Sequence, residues 1–467
     1  FSLNTLLLNR EKATMDSIEI DTEATNELQD SFTSMLEKLA KAREAIDDPA
    51  LKPPPATARN LAEGYRYLSG YTFAAYERAF AEDLDFPYFR RAIQTINKST
   101  WDNSDNLYLS AAIDGEASYR IRCQAADFRH WQGHKQQDKS APWYVIFTAI
   151  THYTGDSGEL AELTPATTNN GGSLDGSQLQ IDADGSFEIL VAPEKPQGYQ
   201  GNFICTKTAH EGEEQTCNYI ICRELFANWE TEQSLDIHIV RLDKIGEPQP
   251  PLSVDQVKAN LARVGELVDA QMRFWNDFFA TILDGYGDSP VKTPVAFPGP
   301  NQPNQPAPPT AQVGAAQATN IYSGGMYVLE EDEALIIEQT IPVTPNYTGI
   351  NLNNIWGESF DYANYQSSLN NVQAAIDSDG KVRYVIAHQD PGIQNWLDTT
   401  GHYTGMLSQR WAYTDAPNEL PTLEVTKVNF SDINQHLPKD TPRVTASERK
   451  EIIRIRQEHV QRRFRQY

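Results

Sequence analysis

Apolar residues in the first hundred positions recur with helical spacing. Leu28, Phe32, Met35, Leu39 and Ile46 fall on one face of an amphipathic helix. Pro53, Pro54 and Pro55 end that element, because proline lacks an amide hydrogen and crowds the preceding turn. A second helix is predicted from about Thr57, with Leu61, Tyr65, Leu68, Thr72 and Tyr76 along one side, until Asp85-Phe86-Pro87 breaks the pattern. From Tyr108 the period becomes two. Tyr108–Ile113 runs into the turn pair Asp114-Gly115, and Tyr119–Arg122 reads as the return strand. Similar text continues to Arg241. Ser253 and Gln256, at capping-box spacing, open a long helix whose stripe is Val257, Leu261, Val264, Val268, Trp275 and Phe279. Residues 290–312, dense in Pro, Asn and Gln, read as an extended linker. A second strand-rich region runs from Tyr322 to Val428. A basic helix with the capping pair Thr445 and Glu448 follows, carrying Ile453, Val460, Phe464 and Tyr467 on one side.

Two stretches, one from each strand-rich region, repeat a pattern. Ile181-Asp-Ala-Asp-Gly185 leads into an alternating strand, then Pro196, Gly198 and Asn202-Phe203-Ile204. Ile376-Asp-Ser-Asp-Gly380 does the same, followed by Pro391-Gly392 and Asn395-Trp396-Leu397. Arg223 and Arg410 follow on the next strand of each copy, and Tyr108–Arg122 matches Leu335–Leu352 loosely. The fold expected is therefore mainly β with flanking helices. Two tandem antiparallel sandwich or jelly-roll-like modules, produced by duplication, would occupy 101–250 and 321–440. Around them come a helical region (1–100), a connecting helix (251–289), a Pro-rich linker (290–320) and a basic C-terminal helix (441–467).

Asp102–Tyr108, Tyr119-Arg120-Ile121, Arg223-Glu224, Asn228-Trp229 and above all Asp390-Pro391-Gly392-Ile393-Gln394-Asn395-Trp396-Leu397-Asp398-Thr399 resemble a widespread bacterial family catalogued only as a C-terminal domain of unknown function. The resemblance runs from about Arg59 to the last helix. It implies a β-rich double-sandwich fold and brings no activity, cofactor or catalytic residue. Ser104 and Phe203 depart from the family's usual Pro and Trp.

Charge and composition narrow the partners. The 467 residues carry a formal net charge of -25. Such a field repels nucleic acid and suits solubility or a neutral or cationic ligand. No apolar run approaches about 20 residues, so no membrane span is expected. The segment from Phe1 to Leu8 lacks a basic signal-peptide start, and the compartment stays open. The arginines of the C-terminal helix (Arg454, Arg456, Arg462, Arg463, Arg465) would dock on the chain's own acidic surface or on a partner subunit. Cys123, Cys205, Cys217 and Cys222 match no metal spacing; a Cys205–Cys217 disulfide and buried free thiols are both compatible with the pattern.

The richest polar cluster lies in the second copy. His388, Asp390, Asp398, His402 and Arg410 are candidate catalytic residues: a histidine beside carboxylates can act as a base, and an arginine can clamp an anion. Trp356, Tyr362, Asn395 and Trp396 are candidate ligand-binding residues, aromatic and amide groups suited to a saccharide, polyol or amphipathic molecule. The carboxylates of Asp102 and Asp105 sit on a loop that can bind a sugar hydroxyl or serve as a glycosidase pair, with helix capping as the plainer role. His130 and His134 have metal-like spacing but lack the Glu of a zinc-protease motif, and with His152 they offer a three-histidine alternative. The Asp-x-Asp-Gly segments lack the first ligand of a calcium loop and read as turns. With no phosphate loop, nucleotide fingerprint or serine elbow, neither metal nor cofactor is expected. Small-molecule binding in a sandwich pocket leads. A cofactor-independent hydrolase or acid–base enzyme and an oligomeric scaffold, assembled through the helices and tail, are the alternatives.

Overall fold

A computed structural model describes residues 21–465 apart from 52, 137–138, 164–169, 211–212, 284–298 and 309–318. The segment Phe1–Leu8, most of the Pro-rich linker and Tyr467 lie outside the described residues.

The chain is mainly β. In the first strand-rich region, β1 (Arg90–Ile93), β2 (Asn106–Ala112), β10 (Tyr219–Leu225), β4 (Tyr144–Ile150) and β5 (Asn170–Asp175) form one sheet in that order. The facing sheet has the order β11 (Asp236–Arg241), β3 (Tyr119–Gln124), β6 (Ser186–Ala192) and β7 (Asn202–Cys205). Alternation drives the pairing. In β3, Tyr119, Ile121 and Cys123 are buried, while Arg122 and Gln124 face outward. Leu107, Phe147 and Ile220 from one sheet and Ile121, Ile189 and Val191 from the other share a single core.

The second region repeats this arrangement. One sheet has the order β12 (Asn320–Val328), β18 (Thr404–Ala412), β14 (Tyr347–Asn353) and β15 (Ser368–Asn370). The other has β19 (Thr422–Asn429), β13 (Glu333–Thr340), β16 (Val382–Ala387) and β17 (Trp396–Asp398). Strand for strand, these match β2-β10-β4-β5 and β11-β3-β6-β7. The parallel pairs also correspond: β6 with β7, and β16 with β17. The hairpin of β8 (Lys207–His210) and β9 (Glu213–Thr216) is inserted in the first module.

Both Asp-x-Asp-Gly segments make the same turn. The amides of Asp182 and Asp377 donate to the carbonyls of Ser186 and Lys381, with Gly185 at φ 88° and Gly380 at φ 81°. Two details of the sequence reading change. The counterpart of β2–β3 is β12–β13, one strand earlier than the stretch Leu335–Leu352. β1 is an edge strand within the region expected to be helical, and its four residues are too few to show a period. All four cysteines are free thiols.

Helices cover the paired modules. α1 (Thr22–Ala42) and α2 (Ala58–Phe80) start at Asp21 and Thr57, whose side chains accept the amides of Ala24 (2.9 Å) and Asn60 (3.1 Å). Both pack on α3 (Val254–Leu283), where the Gln256 amide donates to Ser253 Oγ at 3.2 Å. The buried face of α2 is Gly64, Tyr67, Gly70, Ala75 and Ala79. Phe32 and Tyr65, expected on buried faces, are 47% and 45% exposed. Small residues set the close approach instead: a Cβ at Gly64 would stand 2.6 Å from the Trp356 ring.

α4 (Ala446–Arg465) begins with the expected capping box, Thr445 N–H to Glu448 at 2.7 Å and Glu448 N–H to Thr445 at 3.2 Å. Its buried row differs from the apolar one expected. Arg449, Arg456 and Arg463, two turns apart, are buried together with His459 and Val460. Arg463 donates to the carbonyls of Ser104 (2.6 Å) and Asn106 (3.4 Å) in the first module. Arg456 donates to those of Tyr362 (3.1 Å) and Ser368 in the second. The helix therefore docks on backbone carbonyls at the seam as well as on an acidic side chain of the protein, Asp390, which pairs with Arg449. Burial lowers the Arg456 pKa to about 10, so it stays charged near neutrality.

Candidate functional site

Asn106-Leu107-Tyr108 on β2 has a counterpart in Asn320-Ile321-Tyr322 on β12. In the first module Tyr108 pairs in register with Arg223 of β10. In the second, Tyr322 pairs with Arg410 of β18. Each guanidinium lies over its tyrosine ring, at 5.7 Å for Arg223 on Tyr108 and 5.1 Å for Arg410 on Tyr322. The two pairs meet at the seam, on the wall of a cavity of about 270 Å³ roofed by Tyr71 and Ala75 of α2 and Leu267, Gln271 and Trp275 of α3.

Among the described residues, five cationic side chains line this cavity, Arg78, Arg90, Lys98, Arg223 and Arg410, and the lining holds no carboxylate, histidine or cysteine. Arg78 is neutralised by Asp156 (2.7 Å), and Arg90 by Glu82 (2.9 Å) and Glu77 (3.3 Å). Lys98 donates to the carbonyls of Ser359 (2.9 Å) and Phe360 (2.8 Å). Arg410 forms no ion pair among the described residues, and its Nε has no hydrogen-bond partner there. Burial opposes its charge, but Tyr322, Tyr108 and Tyr347 outweigh that and hold its pKa above the ordinary value. Arg223 is shifted down by burial, with the charge of Arg410 adding to the effect. Both arginines are half-buried and keep accessible surface on the cavity wall. On the wall opposite the strands, Thr100 (φ 61°) and Trp101 (φ 54°) hold two consecutive left-handed conformations, a sparsely populated geometry for side chains of their kind.

The candidate catalytic residues do not converge. His388 engages both ring nitrogens, with Thr399 Oγ1 at 2.6 Å and the Leu329 carbonyl at 3.1 Å. Asp398, whose pKa burial raises, accepts from the Thr400 amide at 2.7 Å. Asp390 closes a turn on the Gly392 amide (2.8 Å) and pairs with Arg449 of α4 (2.9 Å), a docking role. His402 stacks on Phe360 at 4.1 Å and places Nε2 2.6 Å from Glu63 of α2. Only His388, Asp398 and His402 share the Thr399–Thr400 neighbourhood. His402 faces a second, polar cavity of about 470 Å³ that also includes Arg59, Glu63 and Arg66, whereas Arg410 faces the seam cavity.

The four expected ligand-binding residues are likewise dispersed. Trp356 lies in the core of the helical layer and donates to the Asn60 carbonyl at 3.0 Å. Tyr362 belongs to the core of the first module, with the Lys98 ammonium 4.5 Å above its ring. Trp396, in a separate core cluster, donates to the Ala387 carbonyl at 3.0 Å. Asn395 bonds both backbone groups of Ala375, at 2.8 Å each. Asn202 does the same for Gln180 in the first module, at 2.8 and 2.9 Å, so the repeated asparagine is a backbone clasp. The Asp102–Tyr108 loop also proves structural. Asp102 accepts from Ser359, and Asp105 from Tyr347, Asn370 and Trp229, joining the modules. His130 bonds the Pro142 carbonyl and His152 faces Glu162, with no candidate metal cluster among the described residues.

Sequence reasoning chose Arg410 but missed Arg223, Tyr108 and Tyr322. The signal was present: both arginines follow a repeat copy, and both tyrosines sit in an Asn-aliphatic-Tyr triplet.

Comparison with known proteins agrees with this architecture. Residues 136–213 carry a domain described as protein of unknown function (DUF1214). The match falls on the first module, whereas the most specific motif of the sequence reading lay in the second. Among solved structures, an uncharacterized protein from Burkholderia cenocepacia is 25% identical, with a TM-score of 0.69 over 87% of this chain and 99% of that one. The VPA0106 protein from Vibrio parahaemolyticus is 12% identical, with a TM-score of 0.35 over 78% of this chain and 98% of that one. No curated protein matches the chain.

Proposed function

We propose that the protein binds an amphipathic small molecule in the cavity at the seam of its two modules. One observation carries the reading: the cavity lies between modules and helices, and its wall is mostly apolar, with Trp101, Ile150, Ile221, Leu267 and Trp275 beside a few convergent polar groups. The volume of about 270 Å³ is close to the lower end of small-molecule sites, on the order of 300 Å³. The wall holds Lys98, Ser99 and the hydroxyls of Tyr71, Tyr108, Tyr153 and Tyr322 as polar groups that can orient a bound molecule.

The corresponding strand orders, turns and clasping asparagines support duplication of an ancestral module, with the cavity formed where the copies meet. The location differs from the pocket inside each sandwich that the sequence suggested, because the sandwich interiors are filled by their own cores.

Calorimetric titration of 1-octanol and of octanoate into the native chain tests the reading. Saturable binding that is lost in Ile221→Trp, whose larger ring fills the cavity, is the expected result. If neither compound binds saturably to the native chain, the reading is wrong.

A further inference from the structure

We propose that the polar end of this cavity selects a small oxyanion headgroup, a carboxylate above all, with Arg410 as its principal contact and Arg223 as the second. The inference rests on the binding reading above and adds the sign and chemistry of the ligand.

The charge balance argues for it. In a chain with 64 acidic residues against 39 basic ones, a carboxylate is the natural neutraliser of an enclosed arginine. Arg78 and Arg90, on the same wall, have such partners. Tyr322, Tyr108 and Tyr347 act on Arg410, and no carboxylate stands on the wall among the described residues. A guanidinium held away from water without a counter-charge is unfavourable unless something that binds there supplies the charge. The overall field of the protein repels anions, but within the cavity the local charges have the opposite sign and act at short range in a poorly screened space.

Geometry points the same way. A guanidinium carries five donors in a planar fork that fits a carboxylate edge. Tyr322 lies against one face of Arg410, and the Nε of its edge has no partner among the described residues. The Tyr108 ring lies beneath Arg223, and its hydroxyl favours the charge of Arg410, linking the two half-sites. Because the Tyr–Arg pairs occupy equivalent register positions, each module supplies half of the recognition surface, and neither alone forms it. The apolar walls then receive the tail of the ligand.

The test compares octanoate, 1-octanol and octylammonium by calorimetry at neutral pH, with the native chain, Arg410→Met and Arg223→Met. The native chain is expected to prefer octanoate over 1-octanol by about ten- to a hundred-fold, the range of a charge-assisted hydrogen bond, and to take octylammonium most weakly. Arg410→Met is expected to remove most of that preference while its affinity for 1-octanol stays within about three-fold. Its melting temperature should be unchanged or raised, since an enclosed charge is replaced by an apolar side chain. Arg223→Met, the second variant, should reduce the preference less. Equal binding of octanoate and 1-octanol by the native chain, or a preference that survives in Arg410→Met, overturns the headgroup assignment and leaves the binding reading standing. Failure of all three compounds to bind overturns the binding reading itself.

Discussion

The hydroxyl of Tyr347, on β14 of the second module, donates a 2.6 Å hydrogen bond to the carboxylate of Asp105 in the first. Asp105 also accepts from Trp229 at 2.9 Å and from Asn370 at 3.0 Å, so one buried acid collects donors from both modules. Tyr347→Phe removes one of these donors without changing the shape of the side chain. A loss of about 1–3 kcal/mol in unfolding free energy is expected, read from urea denaturation. Asp105→Leu should cost more, because Trp229 and Asn370 then lose their acceptor. Coupling in the double variant separates the pair from its surroundings.

A second expectation concerns α4. Arg463 satisfies the carbonyls of Ser104 and Asn106, and stacks with its Cζ 4.9 Å from the Trp229 ring. Arg463→Met leaves those carbonyls without this donor. The protein should lose about 2 kcal/mol or more, and limited proteolysis should cut within Ala446–Arg465 sooner than in the native chain. Equal cleavage rates would contradict this.

The third concerns pH. Burial raises the Glu224 pKa to about 8, and its buried Oε2 has no hydrogen-bond partner among the described residues, as suits a neutral acid. The folded pKa stands above the unfolded value of about 4.3, so the contribution is present in full below that value. It is lost as pH rises towards 8, because the unfolded chain releases this proton first. Glu232, raised to about 7 by burial, adds in the same direction. Between about pH 4.5 and 8, Glu224→Gln should flatten the decline in stability by up to about 1.4 kcal/mol per pH unit. Denaturation midpoints at several pH values measure it; parallel profiles for the two chains would refute the assignment.

The fourth concerns the thiols. Cys123, Cys217 and Cys222 are buried, and burial pushes Cys217 up to about 12, far from the thiolate form. Alkylation of the native chain at neutral pH should therefore mark these three slowly, with Cys205, the half-buried one, reacting first. Reduction should leave the mass unchanged. A mass gain of about two hydrogens on reduction would reveal a disulfide instead.

Much of the fold was legible because its signals are local. The turns at Gly185 and Gly380, the Thr445–Glu448 cap and the alternation of Tyr119–Gln124 each lie within a few residues. Helix faces were read less well. Phe32 and Tyr65 fit the helical period but point outward, because Met35 and Ala42 fill the buried face of α1, and Gly64 brings α2 close to Trp356. The cavity was harder still, since it joins strands far apart in sequence. His388, Asp390 and Asp398 drew attention as neighbours in the chain, yet His388 links Thr399 to the Leu329 carbonyl, and the two acids serve local turns or a docking contact. Arg223 and Arg410 lie 187 positions apart and share one wall only because the modules pair.

The anchoring of α4 sets an order of events at the ribosome. Its arginines hold carbonyls of Ser104 and Asn106 on one side, and of Tyr362 and Ser368 on the other. Because α4 follows both modules in the chain, each module emerges and gathers its own core before the helix that locks them exists. At roughly 5–20 residues per second, the first module waits on the order of ten seconds or more for its latch. Throughout that interval the carbonyls of Ser104 and Asn106 lack the guanidinium that satisfies them in the finished protein.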